Sequence, residues 1–318
     1  MSALNDGWMR QLGATGIMVS AVCAGGGPLG SMPENFGYEV AEADALALVR
    51  AILDSPIRLI DTANGYSAGR SEERIGAAIA AYGGLPADVV VATKVDARGS
   101  DYSGARVRAS VAESKRRLGL DTLPLVYLHD PEFHDFGAMT APGGAVESLF
   151  ALRDEGEIGH VGLAGGNVHE MSRYLAEVPF EVVLVHNRWT LVDHSAGELI
   201  EQARDAGAAV INAAIYGGGI LANPRGGIAN YGYQPASRPT LNAIALLAEL
   251  AERWDTDLAT VALAASLRDK RITATIVGFS KRKRLASILA SAAITLPDEF
   301  WRQVEDLLPA PENWLDAR

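Results

Sequence analysis

Short runs of almost uninterrupted apolar residues recur along the chain, separated by stretches in which apolar residues return every three or four positions. The runs are AVCAGG (21–26), RLIDT (58–62), VVVATK (89–94), LVYLH (125–129), HVGLA (160–164), VVLVHN (182–187), AAVINAA (208–214) and ATIVGF (274–279). Runs of this length, rich in Val and Ile and apolar on both alternating faces, predict strands buried on both sides. Between them the period changes. Ile75, Ala78, Ile79 and Tyr82 fall on one helical face, as do Val107, Val111, Ser114 and Leu118, with Gly119 as the expected stop. Ser71 reads as an N-cap followed by Glu72 and Glu73 at the positive end of the helix dipole.

Eight such strands alternating with helices predict a parallel sheet covered by helices. An open doubly wound sheet is the alternative, but eight equal units fit a closed (β/α)₈ TIM barrel of the α/β class better. Residues 8–20 read as an N-terminal β-hairpin turning at Gly16. Additional helices are expected in 240–268, through Leu246, Leu247, Leu250 and Trp254, and in 295–308 after Pro297 and Asp298. No Ser-, Gly- or Pro-rich linker divides the chain, so residues 1–318 are expected to form a single domain.

Composition narrows the partners. A net charge of −11 argues against nucleic acid, whose binders present a basic face. The lone Cys23 suits a reducing compartment. The start MSALNDGWMRQLG lacks the pattern of a secretory leader, and no apolar run is long enough to span a bilayer. A cytoplasmic protein without membrane contact is expected, its oligomeric state left open.

The chemistry lies at the strand ends. A barrel of this kind places its site where the strands finish, and three successive strands finish on Asp61, Lys94 and His129, with Tyr66 in the loop after the second. Taken singly, each has an ordinary structural explanation; together they do not. No cap or turn requires a lysine after VVVAT or a histidine after LVYL. A cation beside a phenol favours the phenolate, and a carboxylate beside the cation keeps it charged when buried. The set therefore suits proton transfer at an oxygen, with Asp61 supporting Lys94, Lys94 lowering the pKa of Tyr66, and His129 orienting the oxygen. Nothing in it is a nucleophile, and no Cys/His cluster has metal spacing. A glycosidic or metal-dependent barrel built on Asp61 and His129 would leave Lys94 and Tyr66 unexplained.

These stretches, LIDTANGYSAGRSEERIG, VVVATKVD and LVYLHDPE, resemble the aldo-keto reductase superfamily over nearly the whole chain. That resemblance implies a TIM barrel, an NAD(P)-dependent oxidoreductase, and a tetrad of Asp61, Tyr66, Lys94 and His129. YLHDPE, HNRWTLVD and GGIANYGYQPA are similar to the branch of aldose (D-threo-aldose, L-fucose) 1-dehydrogenases and pyridoxal 4-dehydrogenase. The implied substrate is an aldose sugar or small aldehyde. A cofactor-binding regulatory barrel with slow turnover is the competing implication.

For the cofactor, the resemblance implies that Gly278, Phe279, Ser280, Lys281 and Arg284 meet the adenosine phosphate. A basic helix start suits a 2′-phosphate, hence NADP with NAD as the alternative; a solvated basic face is the other explanation. Tyr216, Gly217, Gly219 and Leu221 open a glycine-rich loop, residues 214–237, that would cover the pyrophosphate. Where the family often has Ser-Asn after strand five, the chain has Ala164-Gly165, with Asn167 two positions on; Asn187 replaces a Gln. The aromatic residue that usually stacks on the nicotinamide is Ala213, leaving Tyr216 as the expected substitute. Trp189 is expected either to stack on substrate at the rim or to pack inside its own loop. Trp8 and His134 rank below it, and His160, His169, His186 and His194 receive no catalytic role.

Overall fold

The computed structural model describes residues 7–33 and 37–317. Residues 1–6 and 318, the ends of the expected domain and the start of the stretch read for a leader, lie outside the described residues. Eight parallel strands close into a barrel: β1 (Val22–Gly25), β2 (Leu59–Asp61), β3 (Val90–Val95), β4 (Leu123–His129), β5 (Ile158–Gly165), β6 (Val182–His186), β7 (Ala209–Ala213) and β8 (Ala274–Gly278). Each neighbours the next in sequence, and β8 returns to pair with β1. All eight coincide with the apolar runs.

Period two explains why those runs lack polar gaps. Cys23, Leu59, Ala92, Leu125, Tyr127, Leu184, Ile211 and Ile276 pack together inside the barrel. The alternate residues, such as Val22, Ile60, Val91, Val126, Leu163, Val183, Val210 and Val277, pack outward against helices. Both faces are buried, so both must be apolar. The hairpin Met9–Gln11 with Met18–Ser20 contributes Leu12 and Val19 to the inner cluster, which plugs the end of the barrel where the strands begin.

The helices are α1 (Glu42–Leu53), α2 (Arg70–Tyr82), α3 (Gly104–Leu118), α4 (Phe136–Thr140), α5 (Ala145–Asp154), α6 (Val168–Glu177), α7 (Gly197–Asp205), α8 (Arg238–Arg253), α9 (Leu258–Arg268), α10 (Arg282–Ser291) and α11 (Asp298–Glu305). Helix α3 ends as expected on Gly119, in a left-handed conformation. Two expectations fail in detail. Ser71 does not cap α2: the helix begins at Arg70, and the Ser71 hydroxyl donates to Gly26 O inside the protein. Glu72 and Glu73 do lie in the first turn of α2, as expected, with Glu72 fully buried, accepting from Thr93 Oγ1 at 2.6 Å and pairing with Arg117 at 3.0 Å. On α8, Leu246 faces solvent, and the buried stripe runs instead through Ala243, Ile244, Leu247 and Leu250.

Candidate active site

The alternation that fills the barrel also decides what stands at its mouth. Continuing the inward parity past the last apolar residue gives Asp61 on β2, Lys94 and then Asp96 at the end of β3, His129 on β4 and His186 on β6. Lys94 Nζ donates to Asp61 Oδ2 at 2.7 Å and to the Thr62 carbonyl at 2.7 Å, and reaches Tyr66 Oη at 3.4 Å. Lys94 is 1% exposed and Asp61 4%, so the ion pair is fully desolvated. The rings of Tyr66 and His129 meet edge to face, 5.7 Å apart. The four residues expected to converge do so.

Tyr66 belongs to no strand, and its position depends on how the loop before α2 is tied down. Thr62 N–H donates to Ala92 O and Asn64 N–H to Lys94 O, which extends the β2–β3 pairing into the loop. The Asn64 amide donates to Ser110 O and to Glu113 on α3, while Arg117 donates to Asn64 O. Gly65 N–H donates to Asp96 Oδ2 at 2.5 Å. Arg106 and Arg117, which fall off the apolar face of α3 in the sequence pattern, are drawn inward by Glu113 and Glu72.

The electrostatics differ from the expectation at one point. Burial pushes the Tyr66 phenol well above its ordinary pKa, and the Asp61, Asp130 and Asp96 carboxylates add to the rise. The expected net lowering by Lys94 is not what the site produces, because three anions and desolvation outweigh a cation at the limit of hydrogen-bond range. The phenol rests with its proton on. Burial also raises the Asp61 carboxyl, opposed by Lys94. For His129, burial works against the imidazolium, but Asp96 and Asp130 overcome it and the pKa rises from its usual value.

Asp96 and Asp130 were not singled out in the sequence, and His186, given no catalytic role there, also stands beside Asp130. His129 Nδ1 lies 2.6 Å from Asp96 Oδ1, so the ring N–H donates to that carboxylate and Nε2 is left for the mouth. Inward parity after Ala92 and Lys94 marks Asp96, and parity after Val182 and Leu184 marks His186; the signal was present. Asp61 and His129 do not converge as metal ligands: one carboxylate oxygen of Asp61 holds Lys94, and the imidazole is held by Asp96.

Trp189 is not at the mouth. The chain leaves β6 through Asn187 in a left-handed conformation (φ 61°) and turns outward. The indole stacks on His194, 4.4 Å between centroids, with the Arg271 guanidinium 4.7 Å from its ring. It packs with the outer layer, so the stacking role on substrate falls and packing within the fold stands. Trp8 lies at the hairpin end, its indole donating to Pro56 O. His134 meets the Tyr102 ring edge on, 4.9 Å away.

The residues expected at a cofactor fall into two groups. Asn187 is fully buried, and its Oδ1 has no hydrogen-bond partner among the described residues, an acceptor suited to an amide N–H. Helix α10 has Lys281 at its N-cap, without a side-chain cap hydrogen bond and without an acidic residue in its first turn; Lys281, Arg282 and Lys283 are exposed. Free backbone donors and cations at a helix start fit a phosphate. Gly278 is exposed and Ser280 nearly buried between it and the helix. Phe279 and Leu221 have no side-chain exposure, so only their backbones could meet a ligand. Gly217 and Gly219 form a tight turn with φ of 57° and 106°.

The positions that depart from the family pattern have particular surroundings. Asn167 caps α6, its Oδ1 accepting from His169 and Glu170 N–H, so that oxygen is committed. Beside Gly165, the Glu132 carboxylate accepts from Gly166 and Asn167 N–H at 2.7 and 3.0 Å, and a Cβ on Gly165 would lie 2.6 Å from it. Glu132 thus occupies space that a side chain at 165 would need. Tyr216 feels the charges of Arg284 and Asp257, with burial raising its phenol to about 12. Ala213 faces the interior and pairs in register with His186, whose ring lies 6.3 Å from Tyr233.

Comparison with known proteins agrees with this architecture. The chain is 27% identical to a D-threo-aldose 1-dehydrogenase of a Pseudomonas species, covering 94% of this chain and 97% of that one. It is 29% identical to a pyridoxal 4-dehydrogenase of Microbacterium luteolum (92% and 95% covered) and 29% identical to an L-galactose dehydrogenase of Arabidopsis thaliana (96% and 95%). The fold superposes on an aldo-keto reductase of Bacillus halodurans in its holo form with a TM-score of 0.80, at 23% identity over 98% of this chain and all of that one. Residues 22–309 match the aldo/keto reductase family model. With that match spanning the whole barrel, the chain belongs to the aldo/keto reductase family and is an NAD(P)-dependent oxidoreductase.

Proposed function

We propose that the chain moves a hydride between a nicotinamide cofactor and the carbonyl or alcohol carbon of an aldose sugar or small aldehyde, with Asp61, Tyr66, Lys94 and His129 as its catalytic residues. The observation that carries this reading is the line from the buried Asp61–Lys94 pair to the half-buried Tyr66, with distances of 2.7 and 3.4 Å, beside His129. When bound, the cofactor supplies or accepts the hydride. The chain's own groups manage the oxygen. In reduction, Tyr66 O–H gives its proton to the substrate oxygen; in oxidation, its oxygen takes that proton back. Lys94 stabilises the phenolate left behind, and Asp61 supplies the opposite charge that the buried ammonium is paired with. His129 holds Asp96 through Nδ1–H, and as imidazolium it donates from Nε2 to the substrate oxygen, fixing its position.

The names of the relatives favour a sugar over a simple aldehyde, since two carry aldose or galactose and one pyridoxal. Asn187 would hold the nicotinamide amide. Lys281 and Arg284 would hold a 2′-phosphate, which favours NADP over NAD. The complete tetrad supports an enzyme rather than a regulatory barrel. We take the chain as one domain, the barrel closing only when β8, near its end, meets β1. The buried Cys23 agrees with a cytoplasmic location; no helix among the described residues is long and apolar enough to cross a membrane.

Tyr66→Phe tests the reading directly. Turnover should fall ~10²–10⁴-fold, the usual worth of general acid catalysis, while NADPH binding, followed by quenching of tryptophan fluorescence, stays within roughly two-fold. A variant that keeps most of the wild-type rate on its best substrate excludes Tyr66 as the proton donor.

A further inference from the structure

Next to His129, the chain places a carboxylate with one buried oxygen to which no group among the described residues donates. Asp130 adopts a left-handed backbone (φ 44°, ψ 46°), and its N–H donates to Ala164 O at 2.8 Å. Its side chain stands between two imidazoles. Oδ2 is 3.7 Å from His129 Nε2, and Oδ1 is 3.8 Å from His186 Nε2. Both separations exceed a hydrogen bond. Oδ1 is buried and has no hydrogen-bond partner among the described residues. A buried acceptor of this kind is costly unless something donates to it.

We infer that Asp130 binds substrate: it accepts a hydrogen bond from a hydroxyl on the carbon next to the reacting one, and so selects neutral hydroxy-carbonyl compounds. The inference rests on the proposed reaction, because His129 Nε2 marks where the reacting oxygen sits. A hydroxyl beside that oxygen faces an acceptor, Asp130, and imidazole nitrogens on either side. It can donate to the first and accept from the second. An alkyl group would leave Oδ1 unpaired, and a carboxylate would bring a negative charge against one that stays ionised, with a pKa of about 2. Asp96, on the other side of His129, adds to the same negative field. The class selected is therefore polyhydroxylated and uncharged, as an aldose is.

The test uses reduction of D-glyceraldehyde, propanal and glyoxylate, which carry a neighbouring hydroxyl, alkyl group and carboxylate, by the wild type and Asp130→Asn. Asparagine keeps the left-handed backbone accessible while removing the charge. The wild type should prefer D-glyceraldehyde over each of the others by roughly ten-fold or more in kcat/KM, the worth of one charge-assisted hydrogen bond. In Asp130→Asn that preference over propanal should collapse to roughly three-fold, mainly through the KM of D-glyceraldehyde, and the disadvantage of glyoxylate should shrink. A variant in which all three substrates lose equally, the ratios unchanged, overturns the inference, since a general structural loss behaves that way. So does a wild type with no preference, although it would leave the oxidoreductase reading intact. A wild type that reduces none of the three and oxidises no aldose overturns that reading itself.

Discussion

Replacing Lys94 with Met separates the energetic role of the buried pair from its chemistry. At 2.7 Å, with both partners almost fully buried, the Coulomb attraction is ~6 kcal/mol at an effective dielectric constant of 20. Most of it offsets desolvation of the two ions. Removing only the cation leaves Asp61 with a full burial penalty, and such losses cost ~3–5 kcal/mol. The carboxyl can escape part of that penalty by taking a proton. Burial already raises its pKa with Lys94 present, and Lys94 is the main group opposing the rise. In Lys94→Met, the folded-state pKa therefore climbs further above the unfolded value near 3.9. Between those two values the folded state binds more protons than the unfolded one, so the contribution of this group to stability is fully present below about pH 4 and is lost as pH rises. The slope should approach ~1.4 kcal/mol per pH unit until the folded-state pKa is passed. Urea unfolding followed by tryptophan fluorescence at pH 5, 6, 7 and 8 measures it. Adding Asp61→Asn removes the titrating group, so the double variant should lose the extra slope and recover part of the stability. A single variant with less than ~1 kcal/mol of loss at pH 7 would refute the reasoning, as would a slope of opposite sign or one that survives in the double variant.

Three further outcomes follow from particular contacts. Asp96→Asn removes the carboxylate that favours the His129 imidazolium; burial then dominates, the pKa falls, and the alkaline limb of the reduction pH profile should move to lower pH. An unmoved profile would mean that His129 is not the group titrating there. Lys281→Ala with Arg284→Ala should weaken NADP binding by roughly ten-fold or more, leave NAD nearly unaffected, and flatten the salt dependence of NADP affinity; equal losses for both dinucleotides would exclude a 2′-phosphate contact. Gly76→Ala would put a Cβ 2.0 Å from the Arg117 carbonyl, forcing α2 away from α3. Denaturant titration should register a loss of about 1–3 kcal/mol, and a change below ~0.5 kcal/mol, the range of ordinary surface substitutions, would show that the two helices are not pressed together there.

The sequence by itself determined the strands, their order and the strand-end positions of Asp61, Lys94 and His129. In a closed parallel barrel, both strand faces are buried, so each strand announces itself as an apolar run, and the first charged residue after it marks the mouth: Asp61, Lys94, His129. Local rules also sufficed for the end of α3 at Gly119 and the start of α11 after Pro297. Tertiary structure decided what depends on residues far apart in the chain. Trp189 is held in the outer layer by distant partners: the Asn212 amide donates to its carbonyl and Arg271 covers the indole, 23 and 82 residues away. Ser71 and Glu72 became interior residues through Gly26, Thr93 and Arg117. The phenol of Tyr66 kept its proton because burial disfavours the phenolate and carboxylates from β2 and from the ends of β3 and β4 add to that, a sum that no single stretch contains. Helical and strand periods are local properties of the backbone, readable along a line. Burial and Coulomb energy depend on distances in three dimensions, and those exist only once the barrel has closed.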